Sequence, residues 1–194
     1  MKRAWFIALA VLAVIVLPGG AVVGVVAVVN RRRTRAEFLA LIQAEVARQL
    51  SELRPDLTDA AREVAGRIVA AMAAHETGYG ATVAWREGWN FSNLTAGSYW
   101  TGDVTPGPDT EPDGRGGWRN ITQAFRRYPA LPAAVSDYFR ALNWPAYRPA
   151  RDLLMAGDLE GFARALAQGG WYTADPGEYV TAMRDAFDAQ ERVA

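Results

Sequence analysis

The sequence predicts a mainly helical α+β domain carried behind an apolar N-terminal segment. Three observations predict it. Residues 4–29 are uncharged and almost wholly apolar. Apolar residues then recur at three- and four-residue steps through most of residues 36–190, the spacing of helices with one buried face. Between them, a stretch from Asn90 to Val104 mixes Asn, Ser, Gly and aromatics, which reads as loop and short β-hairpin. At 194 residues the chain allows one domain plus an appendage. We divide it into an N-terminal anchor over 1–35, a connecting amphipathic helix over 36–57 and a folded domain over 58–194.

Ala4–Val29 exceeds the roughly 20 apolar residues that a membrane-spanning helix needs. The expectation is an uncleaved transmembrane helix, which makes the membrane a partner of the chain. Pro18-Gly19-Gly20 interrupts the run and invites a second reading, a signal peptide cleaved near Ala21. Ala21–Val29 continues apolar, an awkward start for a soluble protein, and this favours the anchor. The basic flanks, Lys2 and Arg3 against Arg31, Arg32, Arg33 and Arg35, lean the wrong way for an exported C-terminal domain.

Phe38, Leu41, Ile42, Val46 and Leu50 form the stripe of the first helix, which Arg54-Pro55-Asp56 ends. Thr58 or Asp59 caps the second, which runs to about His75. Its many alanines permit the close packing of a central helix. Residues 81–89 form one short helix. Pro106–Gly117 reads as a long irregular loop, and Trp118–Tyr128 as extended, then helical. Pro132 suits the first turn of a helix that Asn143-Trp144-Pro145 ends. A short helix follows over 148–156. Asp158 caps another over 159–168, and Asp175-Pro176 starts the last, with Tyr179, Met183 and Phe187 on its buried side.

Composition removes several chemistries. Formal net charge is zero, so bulk charge argues for no nucleic-acid partner. There is no cysteine and one histidine, His75, so disulfides, thiolate nucleophiles and His-rich metal sites are excluded, and no cofactor is called for. Trp and Tyr in Gly/Pro-rich stretches suit sugar stacking as well as core packing.

The chemical signal is Ala74-His75-Glu76-Thr77-Gly78-Tyr79-Gly80, where the Ala-rich helix must stop. Gly78 and Gly80 supply left-handed dihedrals for the exit. The negative end of a helix dipole does not favour a carboxylate. Glu76 there is either solvated or kept for chemistry, and a raised pKa is what a general acid needs.

Four segments in order resemble the glucosaminidase family of bacterial cell-wall hydrolases, which includes the flagellar rod-cap hydrolase domain and many autolysins. They are His75–Gly80; Ser92-Asn93-Leu94-Thr95-Ala96-Gly97; Ala124–Pro129 with Ala134–Tyr138; and Gly170-Trp171-Tyr172-Thr173-Ala174-Asp175-Pro176 with Tyr179. The resemblance covers about residues 58–190. It departs at Thr95-Ala96, where the family has Phe-Gly. It implies a lysozyme-like fold, with a helical lobe, a small β-hairpin lobe and a groove for a glycan strand. It implies glycosidase activity on peptidoglycan, with Glu76 as general acid, Glu111 as the group that activates water and Tyr172 beside the acid. Asp103, Asp109 and Asp113 compete with Glu111. Asn93, Trp100, Tyr128 and Trp171 are the groove candidates. The chain would then be membrane-anchored, with its catalytic domain on the wall side. A muramidase or lytic transglycosylase, a glycan-binding assembly module, and a role in an envelope or phage particle remain open alternatives.

Overall fold

In a computed structural model the described residues are 14–16, 22–24 and 34–191. They fall into two compact units, divided after Arg32. In the first, β1 (Val14–Val16) pairs antiparallel with β2 (Val22–Gly24), Ile15 opposite Val23. The transmembrane helix expected over Ala4–Val29 is therefore not formed at these six residues, and the rest of it lies outside the described residues. β-Branched side chains favour extended backbone, which accounts for the strands. Among the described residues no helix is long and apolar enough to cross a membrane.

The second unit is helical, with one β-ribbon. Helix α1 (Arg35–Leu53) opens with a capping box between Thr34 and Glu37. It buries Phe38, Ile42, Val46 and Leu50 against helix α2 (Asp59–Thr77), which Thr58 caps. The sequence Ala65–Ala74 is almost continuously small and apolar, and α2 is buried nearly all round there, as the central helix of the unit must be. After it come α3 (Val83–Gly88), β3 (Val104–Pro112), β4 (Trp118–Arg126), α4 (Leu131–Leu142), α5 (Arg148–Met155), α6 (Leu159–Gln168) and α7 (Pro176–Glu191). Helix α7 packs on α2 and α6, and α5 packs on α6, which closes the core around α2.

Two expected elements differ in this unit. The helical end expected for Trp118–Tyr128 is not formed, since β4 runs extended to Arg126. Most of the loop expected over Pro106–Gly117 is strand β3, paired in register with β4 from Val104 opposite Arg126 to Pro112 opposite Trp118. Only Asp113–Gly117 turns. Pro106, Pro108 and Pro112 share one phase of the ladder. A proline has no N–H to donate, so each takes a position whose N–H would point out of a two-stranded ribbon. The other phase, Thr105, Gly107, Asp109 and Glu111, is the more buried one. Asp109 and Glu111 therefore share one face of the strand. The expected hairpin is displaced to this ribbon, while Thr95 adds a single bridge to Phe125 on β4.

Candidate active site

Helix α2 ends at the predicted exit. Thr77 Oγ1 donates to the carbonyl of Ala73 (2.6 Å) and accepts from the N–H of Gly80 (2.8 Å). Gly78, Tyr79 and Gly80 are all left-handed, with φ of 55°, 58° and 84°. Gly80 is needed twice over, because a Cβ there would also sit 2.7 Å from Trp85 Nε1. Tyr79 and Asn93, both non-glycine, share this costly conformation beside Glu76, a concentration of backbone strain usual at functional sites.

The exit turns the half-buried Glu76 side chain toward α7. Tyr179 donates its hydroxyl to Glu76 Oε1 at 2.7 Å. Asp175 positions that donor. Its Oδ1 accepts from the N–H groups of Gly177 and Glu178 and starts α7 one turn before Tyr179. Tyr172 stacks on Tyr179, ring centroids 3.7 Å apart and planes 8° from parallel, and His75 meets the same ring nearly at right angles. Asn93 Nδ2 donates to the main-chain carbonyl of Glu76, while its buried Oδ1 receives no hydrogen bond from the described residues. An orphaned acceptor and a left-handed backbone on one residue mark a position held for more than packing.

Burial pushes the Glu76 carboxyl up to about 6. Hydrogen bonds from Tyr179 and Asn93 oppose the rise, and the charge of Asp109 adds to it. Burial also lowers the pKa of His75, and it raises that of Tyr172 to about 12 and of Tyr179 well above the phenol range. Near neutral pH both phenols are donors.

A cleft of about 620 Å³ runs past this carboxyl, with Glu76, Asn93, Trp171 and Tyr172 on one side and Asp109 and Glu111 of β3 also in its lining. Of the predicted residues, it brings together Glu76, Glu111, Tyr172, Asn93 and Trp171. Glu111 forms an ion pair with Arg119, its partner across the ladder. The Tyr172 hydroxyl donates to the carbonyl of Ala163 (2.8 Å) and not to Glu76, while its ring stacks on Tyr179, the residue that does donate to Glu76.

Two groove candidates lie elsewhere. Tyr128 is buried, its hydroxyl donating to Asp137 Oδ2 (2.8 Å), which also accepts from Arg126 Nη1 (2.7 Å). An Arg–Asp pair this deep takes all the polar partners it can hold, and it draws Tyr128 inward. Trp100 lines a neighbouring hollow outside this cleft, its indole N–H on the carbonyl of Asp103. Sequence reasoning missed Tyr179 as the partner of Glu76, placing it among the buried apolar residues of α7. The available signal was a hydroxyl on an otherwise apolar helix stripe, where a buried O–H demands an acceptor.

Residues 57–189 match the glucosaminidase family, described as mannosyl-glycoprotein endo-β-N-acetylglucosaminidase. No curated protein sequence matches the chain. Among solved structures, a peptidoglycan hydrolase mutant from Sphingomonas sp. A1 superposes with TM-score 0.62 at 25% identity, over 82% of this chain and 99% of that one. A C-terminally truncated glycoside hydrolase domain of FlgJ from Salmonella typhimurium gives TM-score 0.57 at 25% identity, over 83% of this chain and 100% of that one. The catalytic domain of the autolysin Auto from Listeria monocytogenes, 17% identical with TM-score 0.61 over 85% of this chain and 89% of that one, shares the fold. A helical core, a two-stranded lobe, a half-buried glutamate in the cleft that both line and a family match over most of the second unit lead to one conclusion: the chain belongs to the glucosaminidase family of glycoside hydrolases.

Proposed function

We propose that the chain is a peptidoglycan hydrolase that cuts the β-1,4 glycan of the bacterial cell wall as an endo-β-N-acetylglucosaminidase, with Glu76 as proton donor. The observation that carries this reading is the Glu76 carboxyl, raised to about 6 at the wall of an open cleft. A general acid must hold its proton near the working pH and release it as the leaving oxygen gains charge. At about 620 Å³ the cleft is within the range of ligand-binding clefts. The wall substrate is supported by the Sphingomonas peptidoglycan hydrolase at 25% identity.

In this mechanism Glu76 protonates the glycosidic oxygen as the bond to the anomeric carbon breaks. Tyr179 holds Oε1, which leaves Oε2 for that proton. A carboxylate on the facing strand takes a proton from water, whose oxygen adds to the anomeric carbon. We assign this to Glu111, with Asp109 its neighbour on the same face of β3. Exchange with solvent then returns a proton to Glu76 and removes one from Glu111. Tyr172 is a positioning residue in this scheme, since its ring braces Tyr179.

The test is Glu76→Gln assayed on purified sacculi. Turnover falls at least about a hundredfold, the lower range for loss of a general acid, while the variant still pellets with the wall. Muropeptide mass spectrometry on the wild type finds the new reducing ends on N-acetylglucosamine. Unchanged turnover in Glu76→Gln removes the mechanism. Muramic-acid ends or anhydro products replace the bond assignment.

The apolar residues 4–29 attach the chain to a membrane in this reading, with the catalytic unit on the wall side. Their length and lack of charge support it. Alkaline extraction of membranes leaves the full chain in the pellet, and its release into the supernatant contradicts the attachment.

A further inference from the structure

The cleft does not end at Trp171. A narrower hollow of about 190 Å³ shares Glu76, Asn93, Thr95, Gly170 and Trp171 with it. That hollow shares Arg126, Ala141 and Trp144 with a third, of about 370 Å³, whose other walls are Tyr99, Trp100, Asp137 and Arg140. The shared residues set the three hollows side by side in a row, with Glu76 bordering the cleft and the narrower hollow and the Tyr99 hollow at the far end.

The two ends differ in charge. The described lining of the cleft holds three carboxyl groups, Glu76, Asp109 and Glu111, and no lysine or arginine; Glu111 is paired with Arg119 outside that lining, and Asp109 adds a negative charge. The far hollow is lined by two guanidiniums and one carboxylate, Asp137. Both Asp137 oxygens are engaged, Oδ2 by Arg126 and Tyr128, Oδ1 by Arg140 at 3.2 Å. The Asp137 side chain is only 7% exposed and that of Arg140 is 72% exposed, so the charge turned to solvent is positive. The same hollow carries aromatic surface that the core does not use. Tyr99 is 90% exposed and Trp144 43%. The Arg126 guanidinium lies 5.1 Å from the Trp100 ring centroid, which holds that ring at the wall.

We propose that this hollow is a distal subsite for the peptide-bearing sugar of the glycan. Tyr99 and Trp144 pack on the C–H faces of the sugar, and Arg140 takes a carboxylate of its peptide substituent. An anionic substituent is repelled at the acidic end of the row and attracted at the arginine end, so the subsite also sets the direction in which a strand lies across Glu76. This inference rests on the reading of the chain as a peptidoglycan hydrolase.

The test uses the full-length chain and two soluble glycan fragments of equal length, one with peptide stems and one stripped of them by an amidase. Binding is measured at low and high salt, and glycan turnover is read on the same samples. The wild type prefers the peptide-bearing fragment, and high salt erases the preference. Arg140→Gln lowers that preference about three- to fivefold, the scale of an exposed charge pair, and Arg140→Lys restores part of it. Tyr99→Ala weakens binding of both fragments about three- to tenfold, as loss of aromatic packing does. Equal affinity of the wild type for both fragments, or an Arg140→Gln preference matching the wild type, overturns the subsite. Loss of the preference with turnover intact overturns the subsite alone. Preference without turnover overturns the hydrolase reading alone.

Discussion

Glu76 sits under opposed influences, and each has a measurable sign. Tyr179 donates to the carboxyl and stabilises its ionised form, while the Asp109 charge disfavours that form. Tyr179→Phe therefore raises the Glu76 pKa and moves the basic limb of the pH–rate profile upward. Asp109→Asn lowers the pKa and moves the limb downward. Each displacement is a few tenths of a unit to about one unit. Profiles of the two variants displaced to the same side contradict this account. Stability carries the same titration. The folded-state pKa of about 6 lies above the ordinary 4.5. The stability that Glu76 contributes is thus fully present below pH 4.5 and lost as pH rises through about 6. Glu76→Gln, which keeps an acceptor for Tyr179, is more stable than wild type above that range by about 2 kcal/mol. The gap closes at acid pH, and denaturant unfolding on both sides of the window checks it. Glu76 was legible because a helix that must stop at Gly78 leaves few reasons for an acid in its last turn. Tyr179 was not, because its partner lies 103 residues away in the chain and only packing of α7 on α2 brings them together.

The helix exit and the ribbon set where those groups point. Gly80→Ala forces a left-handed alanine and drives its Cβ into Trp85, with Phe38 close behind. The cost is at least about 2 kcal/mol from the two effects together. Turnover falls with it, because the same turn aims Glu76. Denaturant midpoints and turnover of the purified variant measure both, and wild-type values for both would contradict the role given to the turn. The ribbon works through its phase. A slip of one residue against β4 would turn Asp109 and Glu111 away from the cleft. Reading Pro106–Gly117 as loop followed from its prolines, since proline cannot serve a central strand. Their even spacing was the overlooked signal, because a two-stranded ribbon tolerates proline in one phase. The helices were easier to read. Periodicity, the Thr58 and Asp158 caps and the Asp175-Pro176 start are local, and α2, α6 and α7 begin where those residues place them.

Across the whole molecule, the ribbon is tied to the helices at one buried ion pair. Arg126 ends β4, Asp137 lies in α4, and their side chains are 9% and 7% exposed. Asp137→Ala leaves the guanidinium buried without its counter-charge and destabilises the fold by about 3–5 kcal/mol. It also loosens β4 where it meets the Asn90 clamp on Leu94 and Arg126, so the KM for glycan rises. Urea unfolding and steady-state assays test the two effects separately. Residues 34–191 hold a core of their own around α2. That fragment folds and turns over glycan without residues 1–33, with a melting temperature within a few degrees of the full chain. A fragment that fails to fold alone would show that the core is incomplete. The sequence by itself determined the helical class, the helix starts and stops and the place of Glu76, because periodicity, caps and glycine exits act over a few residues. Only the tertiary structure decided that Tyr179 holds the acid, that Tyr128 is buried and that Asp109 and Glu111 share the face of one strand. Those outcomes depend on long-range packing, on desolvation and on the register of two strands, none of which is encoded in any single short stretch of chain.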